Sequence, residues 1–77
     1  MEGELQRIVG RNLQTYRKQR GLSQEQFAHE LGVRRTYMGS LERGERNLLL
    51  RSVERLADSL DMEPLTLLRP PSEQPPT

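Results

Sequence analysis

The sequence predicts an all-α domain of four to five helices, compact, with two short helices joined by a tight turn at its centre. Three observations lead there. Apolar residues recur at spacings of three and four along most of the chain, and no stretch shows the period-two alternation of a half-buried strand. Glycines fall where helices should stop, at Gly21 and Gly32, with Gly44 opening the next loop. The 77 residues, 32% hydrophobic with one phenylalanine and no tryptophan, suffice for one domain with a lean core.

A core of this size supplies only about 3–5 kcal/mol unless something else helps. No cysteine is present, and one histidine does not assemble an ordinary zinc site, so neither a disulfide nor a metal or other cofactor is expected. A second copy of the chain is the stabiliser that remains. Met1 to Gln6 carries two glutamates and no apolar run, and no apolar stretch approaches the ~20 residues that cross a bilayer. The expectation is a cytoplasmic chain without a membrane partner.

Net charge is +1, but the sum conceals an asymmetry. From Arg7 to Arg46 there are nine basic and four acidic side chains; the rest of the chain holds three basic and seven acidic ones. A basic block with an acidic remainder points to a polyanionic partner for one part of the surface.

The first helix spans about Glu4 to Arg20, with Leu5, Ile8, Val9, Leu13 and Tyr16 on one face. Gly10 should weaken it by roughly 1 kcal/mol without ending it. Lys18 and Arg20 before Gly21 suit a helix C-terminus. Ser23, three residues before Gln26 and preceded by Leu22, forms a capping box that starts a second helix with Phe27, Ala28 and Leu31 inward. Gly32 turns the chain through the left-handed conformation that glycine adopts without strain. A third helix, about Arg34 to Arg43, has only Met38 and Leu41 to bury. A fourth, about Leu49 to Leu60, repeats Leu50, Val53, Leu56, Ala57 and Leu60 at core spacing. Pro64 suits the first turn of a short fifth helix carrying Leu65, Leu67 and Leu68. Residues 4–68 then make the domain. Residues 69–77, with four prolines among nine residues, read as a disordered tail.

The segment from Gln24 to Arg43 has the pattern of a helix-turn-helix. Ala28 is small where the two helices approach, Gly32 makes the turn, and Val33, Met38 and Leu41 hold the second helix down. Its outward residues are then Arg34, Arg35, Thr36, Tyr37 and Ser40, a face of the size and chemistry that fits a DNA major groove.

On Gly21-Leu22-Ser23-Gln24-Glu25-Gln26-Phe27-Ala28, Leu31-Gly32-Val33, Leu41-Glu42-Arg43-Gly44 and Arg46-Asn47 the chain resembles the Cro-repressor-type helix-turn-helix proteins, across about residues 5 to 68. Arg35-Thr36-Tyr37 and Glu42-Arg43 with Arg46-Asn47 also look like the small controller proteins of restriction–modification systems. The resemblance implies a lambda-repressor-like fold and a transcriptional regulator that binds double-stranded DNA. It implies base reading by Arg35, Thr36 and Ser40, with Tyr37 also reaching DNA. Gln24 looks like the helix-start residue that fixes a phosphate, and Arg43, Arg46 and Asn47 like a loop along the same strand. Arg34 is divided between phosphate contact and plain surface. Arg17 and Glu42 match a partly buried salt bridge behind the recognition helix.

Departures from the family pattern are also present. Arg34 and Leu49 stand where a Ser or Thr often caps the third and fourth helices, and Gly39 replaces a commoner serine. One such reading helix buries too little surface for selective binding, whereas a two-fold homodimer reads an inverted repeat with half-sites about 34 Å apart. Met62, Leu65, Leu67 and Leu68 supply the expected dimer surface, in the acidic half that stays off DNA. An activator would in addition touch RNA polymerase.

Three rivals compete. A protein-interaction adaptor would use Tyr37 and the leucines for docking. An antitoxin-type autorepressor would need a toxin-neutralising region, for which only the proline-rich tail is available. An enzyme is disfavoured, with no cysteine, no glycine-rich phosphate loop and a single histidine, His29, on the outer side of its helix.

Overall fold

The computed structural model describes residues 2–73. Among them are five α-helices, α1 (Glu4–Gln19), α2 (Gln24–Leu31), α3 (Arg35–Glu42), α4 (Leu50–Ser59) and α5 (Pro64–Leu68), followed by a 3₁₀ turn at Pro71–Glu73. No strand occurs among the described residues, and no helix there is long and apolar enough to cross a membrane.

Local chemistry explains most of the boundaries. Ser23 Oγ accepts from the Gln26 amide at 3.0 Å, and Gln26 Oε1 accepts from the Ser23 amide at 2.8 Å, closing the capping box of α2. Gly32 at φ +71° ends that helix in the left-handed region. Arg34 and Leu49 stand at the N-caps of α3 and α4, and neither side chain caps its helix. Asp61 ends the α4 turn at φ +54°, a conformation that aspartate tolerates better than most side chains.

Phe27 sits fully buried at the centre, its ring 5.9 Å from that of Tyr16. Around it pack Val9 and Leu13 from α1, Met38 and Leu41 from α3, Val53, Leu56 and Ala57 from α4, and Leu67 from α5. α3 packs against both α1 and α2, so it is braced from two sides. α1 also packs on α5, and α5 on α4.

Gly10 acquires a role that helix propensity does not suggest. A β-carbon there would overlap the Leu41 carbonyl oxygen and stand 2.7 Å from that of Glu42. The last turn of α3 therefore lies directly on bare α1 backbone. Gly44, just beyond, is equally constrained, since a β-carbon would come within 2.7 Å of Arg7 Cγ.

Two sequence expectations are corrected here. Leu67 is not surface for a dimer: it is 1% exposed and fills the core between α1 and α4. The five-residue α5 turns this leucine inward and leaves Leu65 62% exposed, with Met62 and Leu68 half-buried against the core. The segment after Arg69 is not wholly irregular either. Asn12, buried in α1, donates from Nδ2 to the Leu67 carbonyl at 2.9 Å and the Arg69 carbonyl at 2.8 Å, and the 3₁₀ turn follows. The rest of the expected tail, residues 74–77, lies outside the described residues.

Candidate nucleic-acid interface

Four of the nine basic residues from Arg7 to Arg46 lie on α3 or beside its two ends: Arg34, Arg35, Arg43 and Arg46. The eight residues of α3 make a helix about 12 Å long. Arg34, Arg35 and Thr36 are exposed at its N-terminal end, which in this kind of motif is the end that meets base edges. Arg43, Arg46 and Asn47 are exposed on the loop that leaves its C-terminal end. No acidic side chain occurs in the first turn of α3.

Beneath that face the helix is fastened by one buried carboxylate. Glu42 accepts from Arg17 through both oxygens, Nε to Oε2 at 2.7 Å and Nη2 to Oε1 at 3.1 Å. Gln24 Nε2 donates to the same Oε1 at 3.0 Å, and Arg17 Nη1 donates to the Leu22 carbonyl at 3.0 Å. One ion pair thus joins α1, the start of α2 and the end of α3. A paired and hydrogen-bonded charge is tolerated in the interior, whereas a lone one is not.

Gln24 is half-buried at the first position of α2. Its amide is oriented by Glu42 at a helix N-terminus, where free backbone N–H groups favour an anion. Arg43 pairs with Glu45 at 3.1 Å, both side chains more than half exposed, so the pair contributes little stability and a stronger anion can displace the carboxylate. Asn47 Oδ1 accepts from Gln6 Nε2 at 2.6 Å, which ties the loop to α1. Nothing in the sequence pairs Gln6 with a residue 41 positions away.

Ser40 does not face outward, and the expectation that it reads bases is corrected. It is 8% exposed; its Oγ donates to the Tyr37 carbonyl and accepts from Arg46 Nε, each at 2.8 Å. The loop after α3 folds back over the helix, so a residue on the outer side of an isolated helix becomes covered. Tyr37 is half-buried against the core, and the Arg46 guanidinium lies over its ring, 4.9 Å from Cζ to the centroid. One side of Tyr37 thus belongs to the core margin and the other carries a loop arginine.

On the α1–α2 side, Arg20 bonds to Glu30 and sits over the Tyr16 ring at 5.5 Å. The hydrogen bond that Arg20 donates to Glu30, and then the charge of that carboxylate, hold the Arg20 pKa above its ordinary value. Both side chains are well exposed, and the pair acts on surface geometry more than on stability. Among the described residues no three His, Asp or Glu side chains come together as a metal-ligand set.

Comparison with known proteins agrees with this geometry. Residues 13–68 match a family model described as helix-turn-helix. The crystal structure of a hypothetical transcription factor, NHTF from Neisseria, superposes with a TM-score of 0.80 at 34% identity, covering 95% of this chain and 84% of that one. The restriction-modification controller protein C.AhdI from Aeromonas hydrophila gives a TM-score of 0.67 at 42% identity, covering 80% and 90%. Control protein C.SmaI of Serratia marcescens is 43% identical over 58 residues, which is 75% of this chain and 69% of that protein.

Proposed function

The chain belongs to the helix-turn-helix family of DNA-binding transcriptional regulators, and from that premise we propose that it acts as a homodimer on an inverted-repeat operator, as the controller of a restriction–modification system that regulates its own synthesis. The observation that carries this reading is the two-sided construction of α3: Arg35 and Thr36 stand free on one side, and Glu42 and Met38 anchor the other. Arg35 reads a guanine edge, for which arginine is the commonest specific partner, and Thr36 contacts the neighbouring base. Gln24, Arg34, Arg43, Arg46 and Asn47 contact phosphates and set the register of the helix in the groove. Dimerisation uses the α5 side, with Leu65 at its centre and Met62 and Leu68 at its margin. The controller assignment is supported by the likeness to C.AhdI and C.SmaI.

Selection from a random duplex library identifies the operator and its symmetry. Against that operator, Arg35→Ala should lose about 1–3 kcal/mol of discrimination while binding random duplex as the parent does. Arg35→Ala binding operator as tightly as the parent would exclude α3 as the reading helix.

A further inference from the structure

We propose that Ser40 is a positioning residue for Arg46: its buried hydroxyl holds the Arg46 guanidinium over the Tyr37 ring, so that this arginine meets the DNA backbone already in its bound orientation. The proposal rests on the DNA-binding reading and adds to it a residue that acts without touching DNA.

A hydroxyl has one proton to give and two lone pairs to receive. Ser40 Oγ gives its proton to the Tyr37 carbonyl one turn earlier in α3, at 2.8 Å. That bond fixes the hydroxyl rotor, leaving the lone pairs to face the loop, where Arg46 Nε donates at 2.8 Å. The guanidinium plane is then set by two constraints, a bond at Nε and the ring face beneath Cζ at 4.9 Å. Both lie on the protein side of the group. The Nη1 and Nη2 donors are the part of the fork that matches a phosphate, and neither constraint engages them.

Arg43, three residues earlier on the same loop, provides the contrast. It leans on the exposed Glu45 carboxylate and has no ring beneath it, so it must exchange a partner before it contacts DNA. Two arginines of equal charge on one loop thus carry different ordering costs. Immobilising a long side chain on binding costs about 0.5–1.5 kcal/mol, and Arg46 has met most of that cost in the free protein. Ser40, at 8% exposure, has too little surface to supply a base contact of its own, which leaves the orientation of Arg46 as the use of its hydroxyl.

The test combines affinity with a signal from the free protein. Binding of a fluorescein-labelled random-sequence duplex is measured by anisotropy across a salt series for the parent, Ser40→Ala, Arg46→Ala and the double variant, with thermal melts of each. The Arg46 side-chain 15Nε–1Hε resonance is followed in the DNA-free parent, Ser40→Ala and Ser40→Thr. Ser40→Ala should weaken binding about 3- to 10-fold. It should leave the salt dependence unchanged, because the charge remains, and should have no further effect once Arg46→Ala is present. Arg46→Ala alone should lower the salt slope by about one. The Hε resonance should be protected from exchange in the parent, lose that protection in Ser40→Ala, and regain it in Ser40→Thr. Equal losses from Ser40→Ala with and without Arg46 would overturn the proposal, as would an Hε signal indifferent to Ser40. A parent that binds no duplex at low salt would overturn the DNA reading itself and the binding half of the proposal with it, while the Hε signal alone still decides the Ser40–Arg46 geometry.

Discussion

Glu42 receives both nitrogens of the Arg17 fork with its own side chain only 1% exposed. It is also the last residue of α3, where the helix dipole disfavours negative charge, so the pair offsets desolvation and dipole together. Glu42→Ala leaves Arg17 without its partner and should lower the unfolding free energy by about 3–5 kcal/mol, enough to unfold much of a domain this small. Replacing both residues, Arg17→Met with Glu42→Leu, should cost less than Glu42→Ala alone. Urea unfolding of Glu42→Ala, of Arg17→Met and Glu42→Leu singly, and of their double measures the coupling, and additive losses in the double would show that the pair is not a unit.

Gly10→Ala reverses the ordinary propensity order. Alanine is the better helix former by about 1 kcal/mol, yet its methyl group would overlap backbone carbonyls at the end of α3 that have no room to move. A loss of about 1–3 kcal/mol is expected. Thermal unfolding decides it, and a stabilised variant would mean that α1 and α3 are more loosely seated than described.

Asn12 is a buried polar side chain that satisfies the carbonyls closing α5. Asn12→Leu keeps the volume and leaves those carbonyls without a donor, at a cost of about 1–3 kcal/mol. Amide hydrogen exchange in residues 65–69 should quicken more than in α2. Uniform quickening across the domain would argue against a local clasp.

Leu65 and Leu67, two positions apart, should separate association from folding. Leu65→Glu changes an exposed side chain, and sedimentation should show monomers with an unaltered fold. Leu67→Ala empties part of the core and should destabilise by about 2–5 kcal/mol. Dimers that persist in Leu65→Glu would place the association surface elsewhere.

What could be read from the sequence was what local chemistry determines. The capping box at Ser23 and Gln26, the turn at Gly32 and the fork of Arg17 toward Glu42 all carry signals within a few residues or within a matching motif. Each helix lies within a residue or so of its expected span. What could not be read depended on other parts of the chain lying across a face. Ser40 is outward on an isolated helix and inward once Arg46 folds back over it. Leu67 and Leu65 are equivalent by composition until α1 and α4 determine which of them is enclosed. The reason for Gly10 is a carbonyl more than thirty residues away.

The clasp between Asn12 and the end of α5 also bears on how the proposed dimer would measure an operator. It fastens the proposed dimer surface to α1, against which α3 also packs, so in the proposed dimer the distance between the two α3 helices would be held at one length. Such a dimer works as a caliper. Inserting one base pair between half-sites rotates one of them by about 34° around the duplex, and a jaw with no joint between grip and tip has no means of following it. Discrimination would then reach base pairs that no side chain touches, through their spacing alone.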